Sequence, residues 1–382
     1  MLIDYMMYFY DMEKSKALII LGTRPEAIKL IPLYLKLKES EKWQPILIST
    51  GQHKEMLIPV FELFNVVPDE ELNVMTPNQT LSGLTAKLFV EVQKSIDKYQ
   101  PKLIIVQGDT QTSFVGAYCG YYNKVKIAHV EAGLRTNDIY SPFPEEVNRQ
   151  AVSIISDYDF TPTDPTTQNL LSLNKKNVHN VGNTVIDALQ FCKRKVSIDI
   201  DQYYQKFTSI NLNKKLILIT GHRRENFGKP FENVLNSIKS LSTKYPDFEF
   251  VFPVHLNPVV KSAVKSILED QSNIKLIDPL PYDEMVFLML QSYIIITDSG
   301  GIQEEAPSLN IPVLVTREST ERQEGVDAGC LILVGTDSHK IESSFDLLVE
   351  DSEFYKSTSD SLNPYGNGTT SQQIVTILDS NL

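Results

Sequence analysis

Residues 17–29 read Ala17-Leu18-Ile19-Ile20-Leu21-Gly22-Thr23-Arg24-Pro25-Glu26-Ala27-Ile28-Lys29, and this order decides the fold class. Five aliphatic positions without polar alternation describe a strand covered on both faces. Gly22 and Thr23 then turn the chain, and Pro25 suits the first turn of a helix, where a missing N–H costs nothing. A helix is expected over residues 25–38. The same unit recurs, with strands expected at residues 46–50, 103–107, 127–130 and 158–161 and helices at 54–64 and 111–122. After a polar, weakly periodic stretch at 197–214 it restarts, with strands expected at 216–220, 248–253, 274–278, 293–297 and 312–315. Alternation of this kind builds a parallel sheet wrapped by helices, and two successive sets build two sheets. The fold class is α/β: two Rossmann-like, doubly wound domains facing a cleft.

Composition sets the outer bounds. A chain of 382 residues is too long for one ordinary core, and 42% apolar with 22% charged residues is typical of soluble globular proteins. Lys and Arg number 36 against 48 Asp and Glu, a net charge of -12. That balance argues against nucleic acid and anionic membrane as partners, and leaves room for a small anionic ligand held by a few placed cations. The three cysteines, Cys119, Cys192 and Cys330, are far apart and form no CxxC or Cys/His cluster. A disulfide scaffold is thereby excluded, a metal site is not expected, and the usage fits a reducing, cytoplasmic compartment. No apolar run approaches the ~20 residues of a membrane span. The stretch from Met1 to Tyr10 is apolar, but Asp4 interrupts it and no basic region precedes it, so residues 1–16 are read as an extension before a fold that begins at Ala17.

Ligands of doubly wound sheets bind beyond the carboxyl ends of the strands. After the first strand, Arg24 and Lys29 stand at the start of a helix, as an anion clamp or as two solvated cations. Asp109, in Gln107-Gly108-Asp109-Thr110, is either a helix N-cap or a cleft carboxylate. Glu131, in His129-Val130-Glu131-Ala132-Gly133-Leu134-Arg135, and Glu145, in Ser141-Pro142-Phe143-Pro144-Glu145-Glu146, add two more acids. Carboxylates brought together have their pKa values pushed apart, which suits one as base and another as acid; the alternative is an ion-pair network with Arg135 and Arg149. In the second half His222 follows a strand beside two arginines, and His255 has a similar position with a weaker context. The sharpest signal is Thr297-Asp298-Ser299-Gly300-Gly301-Ile302-Gln303-Glu304-Glu305. Ser299, Gly300 and Gly301 open a helix so that backbone N–H groups approach a diphosphate, and Glu305 lies one turn further in, where ribose hydroxyls would need an acceptor. This segment is no Walker sequence, since no Gly-Lys-Ser/Thr follows, and no GxGxxG fingerprint follows the first strand, so a nucleotide diphosphate is favoured over NAD or ATP.

Taken together, the segments GTRPEAIK, TGQHKEML, QGDT, HVEAGLRT, SPFPEE, GNTVIDAL, GHRREN and TDSGGIQEE, ending at Asn363-Pro364-Tyr365-Gly366, resemble the non-hydrolysing UDP-N-acetylglucosamine 2-epimerases in the same order over nearly the whole chain. The resemblance implies a glycosyltransferase-B-type fold, with domains at 17–184 and 185–363 and a tail at 364–382 whose helix, over residues 369–378, crosses back to the first domain. It also implies that Arg24, Lys29, Ser299, Gly300, Gly301, Glu305 and Arg322 bind a UDP-N-acetylhexosamine, and that Asp109, Glu131, Glu145 and His222 act at the sugar. No cofactor is implied, and a homodimer is. The implied reaction is C2 epimerisation to UDP-N-acetylmannosamine through elimination of UDP to a 2-acetamidoglucal and re-addition. Three neighbouring readings stay open at this level: a hydrolysing 2-epimerase, an epimerase of a related UDP-acetamido sugar, and a glycosyltransferase of the same fold.

Overall fold

The computed structural model describes residues 14–223 and 226–381, so all but the last three residues of the expected 1–16 extension lie outside the described residues. Its first half carries β1 (Ser15–Leu21), β2 (Trp43–Ser49), β3 (Glu70–Glu71), β4 (Leu103–Gln107), β5 (Lys126–Val130), β6 (Tyr158–Thr161) and β7 (Val178–Asn180). They form one parallel sheet in the order β3-β2-β1-β4-β5-β6-β7. The second half carries β8 (Lys215–Thr220), β9 (Phe248–Pro253), β10 (Ile274–Ile277), β11 (Ser292–Thr297), β12 (Val313–Val315) and β13 (Leu331–Leu333). Their order, β10-β9-β8-β11-β12-β13, repeats the winding of the first sheet, again all parallel. In each sheet the chain starts at the centre, runs to one edge and returns to build the other side. The switch points therefore lie between β1 and β4 and between β8 and β11, which is where ligands of such sheets bind.

The strands form where they do because aliphatic side chains cover both faces: Ala17 to Leu21 and Leu216 to Ile219 are at most 1% exposed. The first strand begins two residues before the expected Ala17, since Ser15 and Lys16 pair with Trp43 and Gln44 of β2. Three strands were not legible as such: β3, β7 and β13 are two or three residues long, too short for any periodic signal. The polar stretch at 197–214 is not a plain linker either. It contains the helix Ile200–Lys206, and Tyr203, Phe207 and Ile210 are buried on one face of the segment. Phe207 and Tyr203 stack on Phe287 with ring centroids 5.5 and 5.3 Å apart. The stripe at i, i+4 and i+7 is helical, and the polar residues between its members mask it.

One core runs between the two sheets. The helix Arg24–Glu39 packs on the helix Thr184–Ile198, which also packs on the helix Tyr282–Gln291, and Leu33, Leu189, Cys192, Val286 and Phe287 belong to one buried cluster. The last helix, Thr370–Asn381, packs on the helix Arg24–Glu39 of the first half. Asp187 accepts the Thr370 and Ser371 N–H groups at 3.3 and 2.8 Å, Ser40 Oγ bonds Asp379 at 3.0 Å, and Ile374, Val375 and Leu378 enter the shared cluster. Among the described residues no helix is long and apolar enough to cross a membrane.

Phe287 lies on the helix Tyr282–Gln291, in the cluster it shares with the helix Thr184–Ile198, and anchors the 200–210 segment. Phe287→Ala is expected to cost about 3–5 kcal/mol in urea unfolding, and a loss below about 1 kcal/mol would show that the stacked rings do not carry that region.

Candidate active site

Site construction begins at the turn after β1. Glu26, one turn into its helix, accepts hydrogen bonds from Gly22 N (3.0 Å), Thr23 N (2.7 Å) and Thr23 Oγ1 (2.8 Å) through one oxygen and from Thr110 Oγ1 (2.6 Å) through the other. It thus ties the turn after β1 to the turn after β4, across the switch point. Thr110, not Asp109, caps the helix Gln111–Tyr122, with its hydroxyl accepting the Ser113 N–H. The N-cap reading of Asp109 is therefore corrected. Capping is done by its neighbour, and the Asp109 carboxylate instead faces Arg149, 3.1 Å away. Although 26% of this side chain is accessible, desolvation pushes its carboxyl up to about 6; Arg149 and Lys29 oppose the shift, and Glu131 and Glu145 add to it. Glu145 opens the helix Glu145–Ile155 with its Oε2 buried and without a hydrogen-bond partner. Of the two arginines weighed as structural partners, Arg149 pairs with Asp109 and Glu146, whereas Arg135 bonds the Leu134 carbonyl and Ser153 Oγ.

Glu131 follows β5 in a left-handed backbone conformation, φ +60°. Such a conformation is costly for a residue with a side chain and persists only where the surroundings impose it. Two residues on, Gly133 has φ +91°, and a Cβ there would lie 2.2 Å from the Thr166 carbonyl oxygen, so only glycine fits. The Glu131 carboxylate is buried and accepts from Lys29 Nζ at 2.5 Å, from Asn183 Nδ2 at 3.2 Å and from Gln107 Nε2. Lys29 also reaches Glu304 of the second half at 3.4 Å, and Glu304 receives the Arg322 guanidinium through Nε at 3.0 Å and Nη2 at 2.8 Å. Arg322 continues to Glu321, and Glu321 to Arg317. Burial alone would raise the Glu131 pKa, but the Lys29 ammonium beside it holds the carboxyl below its ordinary value. Lys29, for its part, would lose its proton more readily through burial, yet Glu131 and Glu304 outweigh that and keep it charged.

The second half contributes two further groups. Asp298, after β11, accepts the backbone N–H groups of His222 and Arg223, both at 2.8 Å, and its other oxygen lies 3.4 Å from His222 Nδ1. The His222 ring stacks on His255 at 5.3 Å. Burial lowers the His222 pKa, Asp298 opposes this, and Arg223 and His255 reinforce it. Ser299 stands at the N-cap position of the short helix Gly300–Glu305 without a capping hydrogen bond from its side chain, and Gly300 lies so close to Arg322 that a Cβ would come within 3.0 Å of the guanidinium carbon. Glu305 is buried and accepts from the Tyr282 hydroxyl, and desolvation raises its carboxyl to about 7. Arg24 crosses from the first half to bond the Leu280 carbonyl at 3.2 Å.

A family model described as UDP-N-acetylglucosamine 2-epimerase matches residues 35–379. A Campylobacter jejuni UDP-N-acetylglucosamine 2-epimerase is 44% identical over 372 residues, 95% of this chain and 97% of its own. The chain belongs to the UDP-N-acetylglucosamine 2-epimerase family. The Escherichia coli K12 protein of the same name is 42% identical over 96% of this chain and 99% of its own. Among solved structures, the Neisseria meningitidis UDP-GlcNAc 2-epimerase bound to UDP-GlcNAc superposes with a TM-score of 0.91 at 44% identity, covering 96% of this chain and all of that one. The two-domain fold expected from the family resemblance is the fold observed.

Within this candidate site the structure gathers Lys29, Glu131 and Arg322 into one network, sets Asp109 and Glu145 beside it, and brings Arg24 to the Glu305 side. Among the described residues no hydrogen bond or ion pair joins His222 to the three carboxylates. Sequence reasoning passed over Glu304, Gln107, Asn183 and Tyr282. Glu304, Gln107 and Asn183 stood inside quoted motifs, but nothing in a sequence says that the adjacent Glu304 and Glu305 are both buried, or which partner each meets.

Glu305 offers a pH test. A carboxyl raised to about 7 when folded binds a proton that the unfolded chain has released, so its ionisation costs stability that is absent below the unfolded value and grows as pH rises through about 7. Glu305→Gln should therefore gain on the order of 2 kcal/mol over the parent at pH 8 and nothing at pH 4. Urea denaturation at the two pH values measures it, and an equal effect at both would exclude a buried titrating carboxyl.

Proposed function

We propose that the protein interconverts UDP-N-acetylglucosamine and UDP-N-acetylmannosamine without hydrolysis. The observation that carries this reading is the contrast between two carboxyls beside one cleft: Glu131, held ionised by Lys29, and Asp109, raised to about 6. Moving a proton off one face of a carbon and onto the other needs one group without a proton and one able to carry it. In the intact sugar nucleotide no carbonyl is adjacent to C2, so simple deprotonation is closed. Elimination is open: the base takes the C2 proton, the C2–H electrons form the C1–C2 double bond, and the C1–O bond breaks with its electrons leaving on UDP. The 2-acetamidoglucal and UDP are then held together, a UDP oxygen re-forms the bond at C1, and a proton arrives at the opposite face of C2.

Glu131 is the base in this reading and Asp109 the acid, with Glu145 supporting the proton on Asp109 through its charge. Lys29, Arg322 and Arg24 stabilise charge that develops on the departing diphosphate, together with the N–H groups opened by Ser299, Gly300 and Gly301. His222, oriented by Asp298, acts at the diphosphate or sugar, and Glu305 accepts ribose hydroxyls. Lys29 has a double part: a diphosphate competes with Glu131 for its ammonium, so binding would loosen the clamp that holds the base. The halves must close to keep water from the glycal. The same reading makes the protein a cytoplasmic enzyme that acts as a homodimer.

Incubation with UDP-N-acetylglucosamine in deuterated water, followed by proton NMR, tests the reaction. Deuterium at C2 in an intact mixture of UDP sugars is the expected result. Free sugar plus UDP would mean hydrolysis, transfer to an added acceptor without C2 exchange would mean a glycosyltransferase, and absence of exchange would overturn the proposal. Asp109→Asn and Glu131→Gln should each lower exchange by about 100-fold or more while UDP binding by calorimetry changes little. Parallel loss of binding and activity would reassign them as ligand-holding groups.

A further inference from the structure

Asn183 stands where the first half of the chain meets the helix Thr184–Ile198. Its Oδ1 caps that helix by accepting the Val185 N–H at 3.0 Å, while its Nδ2 donates to Glu131 Oε1 at 3.2 Å. The residue is 2% exposed. Capping alone does not require asparagine, since Ser, Thr or Asp would accept the same N–H about as well. What those residues lack is an amide, which accepts with one atom and donates with the other. On its far side the Glu131 carboxylate takes the Gln107 amide, so two neutral donors and Lys29 converge on it.

The backbone of Asn183 is held in turn. Its N–H donates to the Tyr365 carbonyl at 2.7 Å, within the segment 363–366 that carries the chain back from the second half. That segment also grips the second half's side of the ion network: Asn363 Nδ2 donates to the Glu304 carbonyl at 3.2 Å, and the Tyr365 hydroxyl to the Arg322 carbonyl at 3.3 Å. Gly182 and Gly366 pass so closely that a Cβ on the first would lie 3.2 Å from the Cα of the second. One short strap therefore touches the backbone of Glu304, of Arg322 and of the residue whose side chain steadies Glu131.

We propose that Asn183 is a positioning residue for Glu131, its amide fixing the carboxylate's orientation, and that the crossing segment at Tyr365 fixes Asn183. The inference rests on the reading in which Glu131 moves the C2 proton. Because Glu131 has a left-handed backbone, its side chain starts from an unusual direction and must be aimed by its partners. The charged groups around it are Lys29 and Arg322, which favour its ionised form, and Asp109, whose carboxyl it influences in return.

Two variants separate aiming from capping. Asn183→Ser keeps an N-cap acceptor and removes the donor. Its Tm should stay within about 4 °C of the parent, while kcat for C2 deuterium exchange falls about 10-fold or more with KM within about 2-fold. Asn183→Asp is isosteric and turns the donor into an anion at the same place. It should lower kcat at least as far and move the limb of the kcat–pH profile governed by Glu131 to higher pH, since a like charge disfavours ionisation. Wild-type kcat and pH profile in a folded Asn183→Ser protein would overturn the proposal, leaving Asn183 a cap. So would a kcat loss that merely tracks a lowered Tm. Glu131→Gln run alongside distinguishes the two levels: exchange retained in Glu131→Gln sinks the parent reading, and exchange lost there but intact in Asn183→Ser sinks only the positioning role.

Discussion

The run of charges from Glu131 through Lys29 and Glu304 to Arg322 is the interaction on which the site depends, because two members come from each half of the molecule and the Lys29–Glu304 contact joins them. Glu131, Lys29 and Glu304 are buried and Arg322 is largely so, and removing an ion from water costs several kcal/mol. The attraction that offsets this is of the same order, about 5 kcal/mol for a pair some 3 Å apart at an effective dielectric near 20. Such a seam is close to balanced between closed and hydrated states. Cohesion between the halves comes instead from the apolar cluster that joins the helices Arg24–Glu39, Thr184–Ile198 and Tyr282–Gln291. An apolar hinge with an ionic mouth suits a cleft that must admit a charged ligand and then exclude water.

The same network explains how two carboxyls that follow neighbouring strands acquire opposite pKa shifts. Glu131 lies against an ammonium, and its desolvation is outweighed. Asp109 has a guanidinium at 3.1 Å but also Glu131 and Glu145 nearby, and its desolvation is not outweighed. Neither value is a property of the residue type. Each follows from which cations the fold delivers, and Lys29 reaches Glu131 because the turn after β1 is locked to the turn after β4 by Glu26.

Legibility in the sequence was uneven for identifiable reasons. Long buried strands such as β1, β4 and β9 were read to within two residues, since unbroken aliphatic runs carry their own boundary signals. The two- and three-residue strands, and the Tyr203, Phe207 and Ile210 stripe, were not, because pairing and packing rather than local pattern create them. For the candidate site, the motifs pointed to loops that the fold brings together after β1, β4, β5 and β11. They could not say that Thr110 rather than Asp109 does the capping, or that Glu304 binds both Lys29 and Arg322.

By itself the sequence determined the fold class, the two halves, the family and the candidate site loops, because periodicity and motif order are local and survive without a partner. Tertiary structure alone decided which carboxyl is held below its ordinary pKa and which is raised above it, which cation serves which acid, and that Asn183 links Glu131 to a segment 182 residues further on at Tyr365. Those outcomes depend on distances of a few ångströms between residues remote in the chain. Desolvation and charge pairing act through space, and only the folded sheets bring Lys29, Glu131, Glu304 and Arg322 within reach of one another.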